Sequence, residues 1–212
     1  MDIESYFRDR VEELRSLAER GDPWVFLCGS SFIEYLAKMR LGGPTDQADY
    51  KNFLKDCFFK VCPAYPSFRY ASGQSDLAEQ MYHVLRCGIV HSFSLFADPT
   101  AKEKHGGRDR SILLAHRRSG LQHLGNYVDN GSKPKLDAAI FIAEDFVEDI
   151  AKVTEFILVE ATRTTDCGKH LKTDIQKWVR MYPPIEALVE TKPGQDEVIQ
   201  PDSSKLTRAP SG

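Results

Sequence analysis

Ile3, Phe7, Val11, Leu14 and Leu17 step through the first turns of the chain at intervals of 4, 4, 3 and 3. Apolar residues at that spacing line one face of an α-helix, and such a face must be buried against something of the same kind. The period returns along most of the chain, and it constrains the fold more than any other feature. Gly21 ends the first helix. Asp22-Pro23 starts a second, with Asp as N-cap and Pro in the first helical position, where its missing N–H costs nothing. This helix runs through Phe32, Leu36 and Met39 to Gly42-Gly43-Pro44. Gly29-Ser30-Ser31 inside it lacks the lysine and the preceding strand of a phosphate loop, so it marks a kink or a close approach of two helices.

Tyr50, Phe53, Leu54, Cys57 and Phe58 form a third helix, closed by Cys62-Pro63. Residues 64–74 are a connection, and Ser75 can cap a fourth helix with Leu77, Met81, Val84 and Leu85 on its apolar face. After Pro99 the pattern changes. Residues 102–110 are polar and glycine-bearing. Ile112-Leu113-Leu114 and Leu121 to Val128 are short, turn-bounded runs that fit a two-stranded hairpin around Ser119-Gly120. Leu136 to Thr162 reads as the longest helix, with Ile140, Phe146, Ile150, Val153 and Ile157 on one face. A shorter helix from Lys169 to Met181 stops at Pro183-Pro184. From Thr191 periodicity is lost and Pro, Ser, Asp and Lys predominate, as in a disordered tail. The expected fold is all-α, a bundle of about six helices with a small β-hairpin between helices four and five. Residues 1–190 form the domain and 191–212 the tail.

Composition excludes several classes. No segment reaches the ~18 apolar residues of a membrane helix, and Met1-Asp2-Ile3-Glu4 does not open a signal peptide. The five cysteines (28, 57, 62, 87 and 167) are odd in number, scattered and without a Cys-x-x-Cys. That pattern fits reduced thiols in a cytoplasm better than a disulfide framework or a zinc site. The net charge of −3 conceals two opposite regions. Residues 102–118 hold six Lys/Arg against two acids, and residues 136–160 hold seven acids against Lys152 alone. Both are ordinarily solvated surfaces, and the first could also contact an anionic polymer.

The fourth helix ends in Leu85-Arg86-Cys87-Gly88-Ile89-Val90-His91-Ser92. Arginine is a permanent cation with a planar donor fork suited to phosphate, and histidine can take and give a proton near neutral pH. Spacing alone decides nothing, since Arg110–His116, Arg117–His123 and Arg163–His170 fit the same pattern. Arg86 and His91 differ by continuing an apolar helical face, where a cation and an imidazole need partners. On an ideal α-helix residues five apart are rotated by about 140°. The pair therefore needs the long arginine stem, a break at Gly88 or a second subunit to meet at one phosphate. The plain alternative is that Arg86 makes a buried ion pair and His91 caps a helix end.

The run from Met81 to Ser92 resembles the motif region of HEPN-domain proteins, whose hallmark is an Arg followed after four to six residues by a His late in a helical bundle. Phe32 to Met39 and Tyr50 to Phe58 also resemble bacterial members, and the similarity spans residues 20–165. It implies metal-independent RNA cleavage at a homodimer interface, in a toxin–antitoxin, phage-defence or RNA-processing setting, with no cofactor and no metal. Arg86 and His91 would be catalytic, with His91 the proton-transfer group and Arg86 on the phosphorane oxygens. Ser92, Lys102, Lys104, Arg108 and Arg110 would hold RNA. Active members often carry Asn, Asp or His directly after the Arg, where this chain has Cys87. Inactive members serve as scaffolds for RNA, nucleotide or a protein partner such as an antitoxin, and that is the alternative function. His83 reads as a partly exposed helix residue. Glu144, Asp145, Glu148 and Asp149 read as a solvated helix face and not a metal site, because they lack Glu-x-x-His units.

Overall fold

A computed structural model of the chain describes residues 3–41, 45–71, 73, 77–92, 109–129, 131, 136–163, 173 and 176, with the backbone alone at 3, 88–92 and 109. The elements are α1 (Ile3–Glu19), α2 (Trp24–Leu41), α3 (Gln47–Phe53), a π-helical stretch π1 (Leu54–Phe58), α4 (Phe59–Val61), α5 (Ala64–Ser67) and α6 (Leu77–Gln80). A second π-helical stretch, π2 (Met81–Ser92), then precedes β1 (Asp109–Ala115), β2 (Asn126–Asp129), β3 (Leu136–Ile142) and α7 (Ala143–Thr162). No described helix is long and apolar enough to cross a membrane. The expected helix Lys169–Met181, the Ser75 cap and the 191–212 tail lie outside the described residues, apart from positions 173 and 176.

Helix ends follow their local chemistry. Gly21 takes φ +72° just past α1, and the Asp22 and Gly21 N–H groups reach back to Leu17 and Ala18 at 3.0 and 2.9 Å. This left-handed cap suits a residue without Cβ. The Asp22 carboxylate accepts the Trp24 N–H at 3.0 Å and covers the start of α2. Asp46 and Asp49 cap α3 reciprocally. The chain stays right-handed helical through Phe53, Leu54, Phe58 and Phe59, so α3, π1 and α4 run on as one helix.

The fold is mainly helical but not all-α. It carries a three-stranded mixed sheet in the order β1-β3-β2. β1 lies parallel to β3, with Ile112 opposite Ala139, and β2 lies antiparallel to β3, with Tyr127 opposite Ala138. Two expectations are corrected here. Ile112–Leu114 and Asn126–Val128 are strands, but they do not form a hairpin with each other, because β3 separates them. The long helix begins at Ala143, and Leu136–Ile142 before it is a strand. Apart from Leu136, β3 is buried throughout. A strand buried on both faces loses the alternation that identifies strands, and its apolar run then reads as part of the helix that follows. Gly120, at φ +72°, closes a short 3₁₀ turn (Arg117–Ser119) in place of a hairpin turn.

The core lies where α1, α2, α7 and the sheet meet. Phe26 stacks on Phe146 with centroids 5.8 Å apart, Phe146 meets Phe141 edge-on at 5.6 Å, and Phe141 meets Tyr65 at 6.0 Å. The close approach expected at Gly29 is present. A Cβ there would sit 2.9 Å from Phe146 Cε1 and 3.0 Å from Ile150 Cδ1 of α7. The next residue, Ser30, is buried, and its hydroxyl donates to the Leu85 carbonyl at 3.3 Å. α2 is thus wedged between α7 and π2.

Candidate functional site

Arg86 lies midway along π2. Its Nε donates to Glu34 Oε2 at 3.0 Å and its Nη2 to Glu34 Oε1 at 3.3 Å, so the guanidinium grips the carboxylate with two donors. Lys38, one turn on in α2, holds Glu34 Oε1 at 3.0 Å. The Arg86 and Glu34 side chains are 26% and 16% exposed, so the pair is half-buried and opens to solvent on one side. Burial raises the Glu34 carboxyl, but the hydrogen bonds from Arg86 and Lys38 outweigh it and hold the group below its usual range. The hydrogen bond to Glu34 likewise raises Arg86 against its own desolvation. Arg86 therefore makes an ion pair, half-buried where the plain alternative had it buried. Its partner, the one carboxylate of an otherwise apolar and basic α2, was not singled out in the sequence.

The winding of π2 changes the geometry of the Arg86/His91 spacing. A π-helix bonds residue i to i+5 and turns once in about 4.4 residues, so five residues leave a rotation of only about 50°. The α-helical figure of about 140° does not apply, because the backbone from Met81 to Ser92 is π-helical. The side chains of His91 and Ser92 lie outside the described residues, as do Lys102, Lys104 and Arg108.

Aromatic and polar neighbours complete the surroundings of Arg86. Tyr50 of α3 lies under Tyr82, their ring centroids 5.7 Å apart, and Tyr82 meets the His83 ring edge-on at 5.2 Å. His83 Nε2 is 2.7 Å from Glu79 Oε1 and 3.3 Å from Gln47 Nε2, and Lys51 donates to Glu79 Oε2 at 2.7 Å. His83 is thus tied into a polar chain linking α3 to α6.

Arg110 is not a surface cation. It is 2% exposed, its guanidinium stacks 4.8 Å over the Tyr70 ring, and in register it lies opposite the buried Asp137. His116 and Arg117 face the acidic helix and not solvent alone. Arg117 Nη2 donates to Asp145 at 2.6 Å, and His116 Nε2 lies 3.1 Å from Glu144. Glu148 takes two donors from Arg15. Asp149 holds Lys152 at 2.7 Å and faces His123 Nε2 at 3.5 Å. Every member of the carboxylate cluster of α7 therefore has a basic partner, which a free solvated face would not need. Among the described residues no group of three or more His, Cys, Asp or Glu is placed to hold a metal ion.

His123 is a second buried network. Its Nδ1 accepts the Ile142 N–H at 2.9 Å, so Nε2 carries the ring hydrogen, 3.2 Å from the Tyr65 oxygen. Cys62 packs nearby, its thiol donating to the Asp149 carbonyl at 3.8 Å, and burial pushes that thiol up to about 12. A thiol so shifted is no nucleophile at neutral pH. The cluster ties the β1–β2 connection to the start of α7 and reads as architecture. A cleft of about 370 Å³ opens between Lys55 and Arg69 over Phe59, Tyr65 and Leu77, and none of the expected site residues lines it.

Comparison with protein-family models, with curated proteins and with solved structures finds no match to this chain.

Proposed function

We propose that the chain is a metal-independent endoribonuclease of the HEPN type, acting as a homodimer, with Arg86 and His91 at its centre. The observation that supports this reading is the π-helical winding of Met81–Ser92, which brings position 91 round to within about 50° of Arg86. Stretches of π-helix often mark functional positions, since their looser packing costs stability. In the proposed reaction the RNA 2′-oxygen attacks the adjacent phosphorus and gives its proton to His91. The 5′-oxygen leaves with a proton returned to it, and the product ends are a 2′,3′-cyclic phosphate and a 5′-hydroxyl. Arg86 bears the charge that builds on the non-bridging oxygens, a role in which a preorganised donor is worth roughly 10²–10³ in rate. Lys102, Lys104 and Arg108 would follow the RNA backbone.

One observation favours a second reading. The Arg86 fork is already filled by Glu34, as it would be in a non-catalytic scaffold. Cleavage of a mixed RNA pool in EDTA separates the two. Wild type, His91→Ala and Arg86→Ala are compared and the product ends mapped. Cyclic phosphate ends that vanish in both variants establish the ribonuclease. No cleavage by folded wild type, with salt-sensitive RNA binding or a stable protein complex, establishes the scaffold.

A further inference from the structure

Tyr50 is the anomaly of the Arg86 site. It is 1% exposed, and its hydroxyl finds no hydrogen-bond partner among the described residues. A phenylalanine would fill the same space without the cost of an unpaired buried hydroxyl. Its ring packs 5.7 Å from that of Tyr82, four residues before Arg86 in π2. Arg86 in turn holds Glu34, and Glu34, Arg86, Cys87 and Tyr82 are the polar groups around its hydroxyl. Burial keeps the phenol protonated far above neutral pH, so it is available as a donor. Of those neighbours Glu34 is the anionic acceptor.

The Glu34 oxygens are at present occupied, Oε2 by Arg86 Nε and Oε1 by Lys38 and Arg86 Nη2. A phosphate that approaches Arg86 competes with Glu34 for the same fork. If the guanidinium turns to the phosphate, Oε2 loses this donor within a side chain that is mostly buried, and an uncompensated buried carboxylate is costly. That cost would hold Arg86 in place unless another donor reached Glu34.

We infer that Tyr50 is a positioning residue that frees Arg86 for an anionic substrate, its hydroxyl donating to Glu34 when the guanidinium moves to a phosphodiester. The exchange transfers no proton and replaces one hydrogen bond to the carboxylate by another. It rests on the proposed role of Arg86 as a phosphate-binding group.

The test uses the full chain and Tyr50→Phe, which removes only the hydroxyl, in wild-type and Glu34→Gln backgrounds. The probe is a fluorescent single-stranded oligodeoxynucleotide of mixed sequence, which cannot be cleaved because it lacks the attacking 2′-hydroxyl. Tyr50→Phe should melt at or above the wild-type temperature yet bind the probe about tenfold more weakly, the usual effect of losing a hydrogen bond to a charged group. In the Glu34→Gln background the same substitution should change binding less than about twofold, because a neutral amide no longer requires the donor. Unchanged affinity in Tyr50→Phe, an equal loss in both backgrounds, or no binding by wild type would each overturn the inference. Tyr50-dependent binding by a wild type that leaves the matching RNA uncut would sink the ribonuclease reading and sustain the exchange.

Discussion

The grip of Glu34 on Arg86 sets a measurable coupling. Exposed ion pairs contribute about 0–1 kcal/mol, and breaking a fully buried one costs about 3–5 kcal/mol. This pair is two-pronged, with side chains 26% and 16% exposed, and belongs between those limits. A double-mutant cycle of Glu34→Gln and Arg86→Met should therefore give a coupling of about 1–2 kcal/mol. Glu34→Gln alone, at a similar cost, should lower Tm by roughly 2–8 °C, since a chain of this length shifts about 2–4 °C per kcal/mol. The effect should depend on pH with a definite sign. The Glu34 carboxyl is held below its usual range in the folded state by Arg86 and Lys38, so its stabilisation is fully present above about pH 4.3 and is lost as pH falls through the depressed value. The Tm gap between wild type and Glu34→Gln should be wide at pH 7 and should narrow by pH 3. Thermal melts of the four proteins across that range settle the matter. A coupling under about 0.3 kcal/mol, or a gap that stays constant in acid, would show that Glu34 does not hold Arg86 and would remove the basis for the exchange with Tyr50.

Three further outcomes follow from the packing. Gly29→Ala should destabilise by about 1 kcal/mol, because overpacking at roughly 1–3 kcal/mol exceeds the gain of up to about 1 kcal/mol in helix propensity. A higher Tm would mean that α2 and α7 can separate freely. His123→Ala leaves the Ile142 N–H and the Tyr65 hydroxyl without the imidazole, and should cost about 2–3 kcal/mol in urea unfolding; a loss below about 1 kcal/mol would show the network to be loose. In iodoacetamide labelling at pH 8 the exposed Cys28 should react first among the described cysteines. Cys57 and Cys62, which burial pushes up to about 11 and about 12, should stay unmodified until the protein unfolds, and early labelling of either would contradict their packing.

What the sequence reveals and what it hides divide along physical lines. The period of α1 is a one-face pattern, and Phe7, Val11 and Leu14 are buried as it requires. Gly21, Asp22 and Pro23 mark a boundary because each restricts the backbone or supplies a partner locally. β3 escapes detection because burial on both faces erases its alternation, and the helix that follows supplies a period which absorbs it. The pairing of β1 with β3 joins residues 27 apart through register alone, and no local signal encodes it. The ion pairs across α7 are equally remote. Glu148 meets Arg15 and Glu155 meets Arg8 from the other end of the chain, while His116 and Arg117 of the basic run meet Glu144 and Asp145. The acidic run that looks like a solvated surface in sequence is thus lined by basic partners. Arg86 was recognisable from its setting, whereas Glu34 lies 52 residues away. Glu34 had one legible signal, its position as the sole carboxylate in α2, where an unpaired acid would be costly.

α2 explains why these residues form one site. Gly29 lets its backbone press against Phe146 and Ile150, while Ser30 and Glu34, four residues apart and hence on one helical face, meet Leu85 and Arg86. The depth of the contact at Gly29 therefore sets how close Glu34 comes to Arg86 on the other side of the helix. A Cβ at position 29 would push α2 away from α7 and toward π2, and the interior is too densely packed to absorb such a shift locally. Arg86 lies on a π-helical stretch whose winding is already the less stable choice. A displacement delivered there should alter the Glu34–Arg86 geometry more than it alters the core. On the proposed ribonuclease reading, Gly29→Ala should for that reason reduce RNA binding out of proportion to its modest effect on Tm, in contrast to His123→Ala, whose effect should stop at stability.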